Sequence, residues 1–350
     1  MSPNDTRSTN FYTYNPLPPP PARTIRLIRI IPSAEPSAPI SVEIETHPLS
    51  SAPPYDAISY VWGHPSIIPV PITCNGALLF ITPNLHWALR RVRAAANGTH
   101  ALIWADAICI NQADDAGCSA QVAFMGEIYV STCRVLVCMG DAPVKGDEKE
   151  AAMLIDIVKP FREGRLELDD EGSSLGEERS GRELSSWVRN AGRAWSALGD
   201  LTRRPWFTRV WVIQEVGLAK NPVVFYGAEE FGYRDLVMTV AWARNHPSFS
   251  SHGLQAWRIH IEWLDWSRAA RKGNAQLKRN FRDLLDHASV LSCRDPRDRI
   301  YAFLGHPLAR TVDGQHPLIS SDYSKDVNEL YVEVTKVLLE TGWLANLGFG

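Results

Sequence analysis

The sequence predicts an α/β fold: a mostly parallel sheet flanked by helices, with added β-hairpins and a helical C-terminal part. Three observations carry this expectation. Short apolar runs alternate with segments of helical periodicity from Tyr55 to Gly227, the rhythm of βαβ units around a parallel sheet. Segments that alternate apolar with polar residues precede and interrupt these runs, as half-buried antiparallel strands do. Beyond residue 235 the apolar spacing is that of helices.

Residues 1–22, rich in Pro, Asn, Ser and Thr, lack the apolar side chains to bury themselves and are expected to form a disordered tail. Ile25–Ile30 and Ser41–Thr46 each alternate, which predicts an antiparallel pair. Tyr55–Gly63 is a short apolar run ending in glycine, as in a buried strand. Pro71–Cys74 and Ala77–Ile81 flank Asn75-Gly76, a dipeptide that accepts the positive φ angles of a type I′ hairpin turn. Thr82-Pro83 reads as an N-cap followed by proline at the first helical position, with Leu85, Leu89 and Val92 on one face. Leu102–Ile110 is predicted as a near-continuous apolar strand, followed by a helix through Val122, Met125 and Ile128, then a strand over Arg134–Gly140. A helix over 205–218 and a strand over Val223–Gly227 complete the alternation. Glu163–Ser186 reads as a flexible, solvated insertion within a domain spanning 23–230. A helical extension over 231–350 follows, with Trp257, Ile261 and Leu264 on one face and Phe281, Leu284, Leu285 and Ala288 on another. Ser324–Thr341 carries Asp326 and Glu329 at capping-box spacing, with Leu330, Val334, Val337 and Leu338 inward.

The bulk numbers exclude several classes. With 350 residues, 45% hydrophobic and 21% charged, the composition is globular. A net charge of -3, from 36 Lys+Arg against 39 Asp+Glu, leaves no basic footprint for nucleic acid. No run approaches the roughly 18–20 apolar residues of a membrane span, and the N-terminus lacks a secretory apolar core. A cytoplasmic protein is expected. Six cysteines show no CxxC pair, so no metal site is expected. Cys109 sits in an apolar run without a neighbouring His and reads as a small buried hydrophobe. Neither Gly-x-Gly-x-x-Gly nor a P-loop motif occurs, which argues against a dehydrogenase or NTPase.

Two segments place charge among apolar residues. Arg204-Pro-Trp-Phe-Thr-Arg-Val-Trp-Val-Ile-Gln-Glu215 combines a carboxylate, two arginines and three aromatic rings. Leu102–Gln112 embeds Asp106 in an apolar run. Buried charge must be paired or hydrogen-bonded, so each segment makes a structural ion-pair network or lines a ligand site. In the second reading Glu215 is the catalytic carboxylate, Arg204 or Arg209 holds a phosphate, Trp206 or Trp211 stacks on a ring, and Asp106 meets a ribose hydroxyl. Asn111 and Gln112, where a strand opens into a loop, and Trp62-Gly63, at the end of another, occupy the places where α/β sheets contact ligands. In the structural reading Asn111 is a turn former, Gly63 starts a turn, and the aromatic rings are core.

These segments, in order, resemble the fungal heterokaryon-incompatibility (HET) domain: Tyr55–Gly63, Trp104–Gln112, Gln121-Val-x-x-Met125 with Ile128-Tyr129, and Arg204–Glu215. Asp295-Pro-Arg-Asp-Arg-Ile-Tyr-Ala-Phe-Leu-Gly305 and Asp322-Tyr-Ser324 resemble the tail that often follows it. One departure stands out: Gly117-Cys118 replaces the family's usual Glu-Arg, and loss of a surface pair costs about 0–1 kcal/mol, so the fold should survive it. The HET domain is in turn similar to the TIR domain, which implies a TIR/flavodoxin-like fold. Trp211-x-x-x-Glu215 looks like the segment that carries the catalytic glutamate of NAD-cleaving TIR domains. The resemblance implies a role in non-self recognition and programmed cell death, with self-association or another incompatibility protein as partner. It implies NAD as substrate, with no bound cofactor, if the domain is an enzyme; a non-enzymatic assembly module is the alternative.

Overall fold

The structure, a computed structural model of the chain, describes residues 10–64, 66–96, 102–165, 179–245, 257, 260, 281–311 and 316–340. Ile261 and Leu264 of the expected helical face, and 166–178 of the expected insertion, lie outside the described residues. Arg179–Asn190 is helical, so the described end of that insertion is regular structure.

Nine strands form a single sheet among the described residues: β1 (Thr24–Ile30), β2 (Ser41–Pro48), β3 (Asp56–Tyr60), β4 (Val70–Cys74), β5 (Ala77–Ile81), β6 (Leu102–Trp104), β7 (Val135–Cys138), β8 (Pro222–Tyr226) and β9 (Glu229–Gly232). Their order is β5-β4-β2-β1-β6-β3-β7-β8-β9. The sheet is mixed, and the expectation of a mostly parallel sheet is corrected here. Only the central block β6-β3-β7-β8 is parallel throughout, while β1 pairs antiparallel with both β2 and β6, and the β4–β5 and β8–β9 pairs are antiparallel hairpins. The β4–β5 and β8–β9 hairpins and the placing of β1 antiparallel between β2 and β6 account for the difference, while β2 and β4 pair in parallel outside the block. In chain order the parallel block runs second, first, third, fourth. The chain therefore leaves β3 toward β6 on one side and returns to β7 on the other.

The local signals are realised where turn chemistry dictates them. Asn75 (φ 48°) and Gly76 (φ 78°) form the β4–β5 turn. Thr82 accepts from the Leu85 N–H (3.3 Å) and caps helix α1 (Pro83–Ala95). Asp326 accepts from the Asn328 N–H (2.8 Å) at the head of the helix Val327–Glu340, which buries Leu330 and Val334.

Two expected elements break. The strand over Leu102–Ile110 ends at Trp104, and helix α2 (Asp106–Cys109) follows at once. The helix over 205–218 is a 3-10 turn (Pro205–Thr208), an extended step at Arg209 (φ -75°, ψ 136°), and a short helix (Val212–Gly217). A continuous apolar run such as 102–110 carries no period, and at 205–218 the pairing of Arg209 with Ser292 overrides the helical expectation. The Arg209 step is extended because it bridges to Ser292.

Two apolar cores result among the described residues. The larger lies on the sheet; the smaller joins Val210 and Ile213 to Phe281, Leu284, Ile300, Tyr301, Phe303, Leu330 and Val334 of the C-terminal part. Trp211 packs against both. The Pro-rich N-terminal segment is anchored from Asn10 onward. Tyr12 N–H donates to the Leu78 carbonyl (2.9 Å), and Tyr14 Oη donates to the Ile108 carbonyl (2.9 Å).

Candidate functional site

β3 is buried along its whole length, and Ser59 near its C-terminal end is the polar residue that organises the site. Its hydroxyl donates to Glu215 Oε2 and accepts from Trp206 Nε1 at 2.7 Å. Glu215, 3% exposed, also meets Arg209, whose Nη2 lies 3.4 Å from Oε1. The same guanidinium donates through Nη1 to the Tyr60 carbonyl. The break in the expected helix makes this pair geometrically accessible. Residues six apart on a continuous helix do not share a face, whereas the extended step at Arg209 turns its side chain back toward Glu215.

Asp106 sits at the first position of α2, at the C-terminal end of β6. One of its oxygens accepts from Trp62 Nε1 (2.8 Å) and the other from the Ala107 N–H (2.7 Å). Asp106 and Glu215 thus flank Arg209 at one end of the parallel block. Trp62, 36% exposed, closes the cluster on the solvent side.

Burial pushes the Glu215 carboxyl upward, against the pull of Arg209 and Ser59. Asp106 is likewise raised by burial, opposed by Arg209 and the Trp62 N–H. Burial also disfavours the Arg209 charge, but the two carboxylates outweigh it and hold the guanidinium protonated. The guanidinium and the hydrogen bonds to each carboxyl thus oppose the cost of burying the two acids. Cys109 is fully buried and its thiol is pushed up to about 12, far from a nucleophile's range.

Of the residues singled out in the sequence, Trp62, Asp106, Arg209 and Glu215 converge. Trp206 converges as a support: fully buried, it serves the site through its N–H to Ser59 and offers no face to a ligand. Arg204 points elsewhere, donating to the Asp141 carbonyl and lying over the Tyr226 ring at 5.3 Å. Trp211 turns to the C-terminal part, where its indole influences Asp298. Asn111 forms a local turn with the Ala113 N–H (3.3 Å), and Gln112 Nε2 clamps the Asp106 carbonyl (3.0 Å). Gly63 takes φ 87°, the left-handed turn conformation that favours glycine. Gly117 and Cys118 lie in helix α3 (Asp115–Ala123), where Asp114 caps the Gly117 N–H at 2.9 Å.

Sequence reasoning missed Ser59, Tyr60, Gln214 and His260. A lone hydroxyl inside an apolar strand was the available signal for Ser59. The Tyr60 hydroxyl is buried beside Asp106 without a hydrogen-bond partner of proper geometry among the described residues. His260 bridges the Tyr233 hydroxyl (2.8 Å) and the Phe207 carbonyl (2.7 Å) behind Trp206. The carbonyl requires a proton on Nε2, so Nδ1 accepts from Tyr233 and the ring is neutral.

The cluster is a buried polar group at the end of a parallel block within a mixed α/β domain. Residues 55–215 match the family described as "Heterokaryon incompatibility protein (HET)", a span that begins next to β3 and ends on Glu215. Over those residues the chain is similar to that family. It is similar to "Heterokaryon incompatibility protein 6, OR allele" of Neurospora crassa, with 30% identity over 229 residues, or 59% of this chain and 34% of the relative. The chain thus matches about a third of the length of that relative. No solved structure matches. No helix among the described residues is long and apolar enough to cross a membrane.

Proposed function

We propose that this chain acts in the cytoplasm as a signalling domain of heterokaryon incompatibility, triggering cell death on non-self recognition, with NAD as its substrate and Glu215 as the catalytic carboxylate. The observation that carries the reading is the Asp106–Arg209–Glu215 cluster at the C-terminal ends of β6 and β3. In doubly wound sheets of flavodoxin-like order, second-first-third-fourth, ligands bind at that end, where the strand order reverses. The central parallel block has that order, which supports a TIR-like ancestry for the block alone.

The chemistry is water attack on the ribose anomeric carbon. The bond to the pyridinium nitrogen breaks, its electron pair leaves with neutral nicotinamide, and the attacking water releases a proton, giving ADP-ribose. The transition state resembles an oxocarbenium ion, which the Glu215 carboxylate stabilises across a water-poor site. Asp106 is placed to hold ribose hydroxyls, Arg209 to pair with the pyrophosphate, and the Trp62 ring, exposed at the rim, to stack on a base. At 3% exposure Glu215 must be uncovered before it reacts, which fits a signalling enzyme that is silent until self-association or binding of another incompatibility protein.

The same burial favours a second reading, a non-enzymatic assembly module in which Ser59, Arg209 and Glu215 hold the fold. Inducing the chain in a fungal host beside Glu215→Gln, matched for expression and folding, separates the two. NAD loss that precedes death with the parent chain alone supports catalysis. Death with NAD unchanged removes it.

A further inference from the structure

The Arg209–Glu215 pair is held from outside the HET span. Ser292 brackets Arg209: its N–H donates to the Thr208 carbonyl (2.5 Å) and its carbonyl accepts from the Val210 N–H (3.0 Å). These bonds fix the extended step on which the geometry of the pair depends. Next to Glu215, the buried Gln214 amide accepts from the Gly126 N–H (2.6 Å) and donates to the Ala302 carbonyl (3.0 Å). This joins helix α4 (Met125–Ser131), the helix carrying Glu215, and the C-terminal part at one point. Two glycines permit the approach. A Cβ on Gly126 would lie 2.9 Å from the Gly305 Cα, and one on Gly305 would lie 2.6 Å from the Gln214 amide and 3.0 Å from the Gly126 Cα. Such distances are not tolerated by real side chains, so both positions demand glycine. A third tie lies between them, where Tyr323 Oη donates to Asp298 (2.7 Å) beside the Trp211 indole.

We infer that the segment from Ser292 to Gly305 is a positioning element for the Arg209–Glu215 pair, so that the candidate site is complete only while this segment is docked through Ser292, Ala302 and Gly305. The functional arm of this inference rests on the NAD-cleavage reading, but its structural arm does not. Undocking would release the extended step at Arg209 and the amide beside Glu215 together, while Ser59 in β3 and the Trp206 indole bonded to it would stay. The segment is therefore also a means of switching the site: a partner that captured it would uncouple the cation from the carboxylate without unfolding β3 or β7.

The test uses the full chain with carboxyl-labelled glutamate, the Glu215 signal being identified by its loss in Glu215→Gln. Ser292→Pro removes the N–H that binds Thr208, and Gly305→Ala forces the Gln214 contact apart. Gly76→Ala, which strains the β4–β5 turn at the far edge of the sheet, is the control for general loss of stability. Both test variants are expected to move the Glu215 titration midpoint by about half a pH unit or more, since burial holds it up, Arg209 pulls it down, and both depend on the docked geometry. Amide exchange at Val210 and Gln214–Gly217 is expected to quicken about 10-fold or more, with Gly76→Ala moving neither readout. If the parent chain consumes NAD, both variants should reduce that loss about 10-fold, as misplacement of a catalytic group does. If the parent chain consumes none, only the NAD reading falls, and titration and exchange still decide the positioning role. Unchanged titration and exchange at 208–217, with faster exchange at 292–305, overturns it. Should Ser292→Pro fail to fold, Gly305→Ala carries the same decision.

Discussion

Replacing Arg209 with Met tests the electrostatic account of the cluster most directly. The side chains of Arg209 and Glu215 are 18% and 4% exposed, so the substitution leaves a carboxylate in a nearly dry site. Breaking a buried pair from one side costs about 3–5 kcal/mol. The contact here is long at 3.4 Å, the guanidinium is partly solvated, and Glu215 keeps the Ser59 hydroxyl, so we expect about 2–3 kcal/mol. The loss should depend on pH. With its folded-state pKa raised above the unfolded value, Glu215 in the variant contributes stability that is present below the unfolded pKa and is lost as pH rises through the folded one. Urea unfolding of parent and variant near pH 5 and about pH 8 should therefore show a smaller deficit in acid. Arg209→Met combined with Glu215→Gln should be more stable than Arg209→Met alone at the higher pH, because no charge is then stranded. A deficit below about 0.5 kcal/mol, or one equal at both pH values, would refute the claim that Glu215 is a buried charge held by Arg209.

Four further outcomes follow from the same geometry. Ser59→Ala leaves the Trp206 N–H buried and unpaired and removes a donor from Glu215, so urea unfolding should register a loss of about 2–4 kcal/mol. His260 is held near pKa 4 by burial, below its unfolded value, so the folded state binds fewer protons between those pH values. Stability should fall as pH drops from about 6.5 to about 4, by up to about 3 kcal/mol, and His260→Gln should lack that share of the slope. Gly76→Ala, at φ 78°, should cost about 1–2 kcal/mol by thermal unfolding through strain in the β4–β5 turn. Trp62→Ala removes the indole N–H from the Asp106 carboxylate, so urea unfolding should register a loss of about 1–3 kcal/mol, and on the NAD-cleavage reading NAD binding should weaken about 10-fold by calorimetry.

Much of the fold was legible because its signals are local. The Asn75-Gly76 turn, the Thr82-Pro83 helix start, the antiparallel β1–β2 pair and the apolar strands β3, β7 and β8 stand where residue chemistry puts them, although β1 is buried on both faces, Arg26 included, and is not half-buried as its alternation predicts. The candidate site was legible only in part. Charges inside apolar runs flagged Asp106, Arg209 and Glu215, since buried charge requires partners. The partners themselves, Ser59 at 156 residues from Glu215 and Trp62 at 44 from Asp106, are separated in sequence by distances that no local pattern spans. Arg204 and Trp211 shared the motif with Glu215 yet face other neighbours, because the motif is not one helix.

The sequence by itself determined the class of domain, the strands with their turns and caps, and which acids had to find a partner. Turn type, capping and the burial cost of charge are short-range properties. Tertiary structure alone decided that the sheet is mixed, that the apolar runs at 102–110 and 205–218 break, and that Arg209 turns toward Glu215. Each depends on what pairs with the backbone: β1 lies beside β6, and Ser292 holds the step at Arg209. A continuous apolar run is compatible with helix or strand, and only the neighbour that satisfies its N–H and carbonyl groups selects between them.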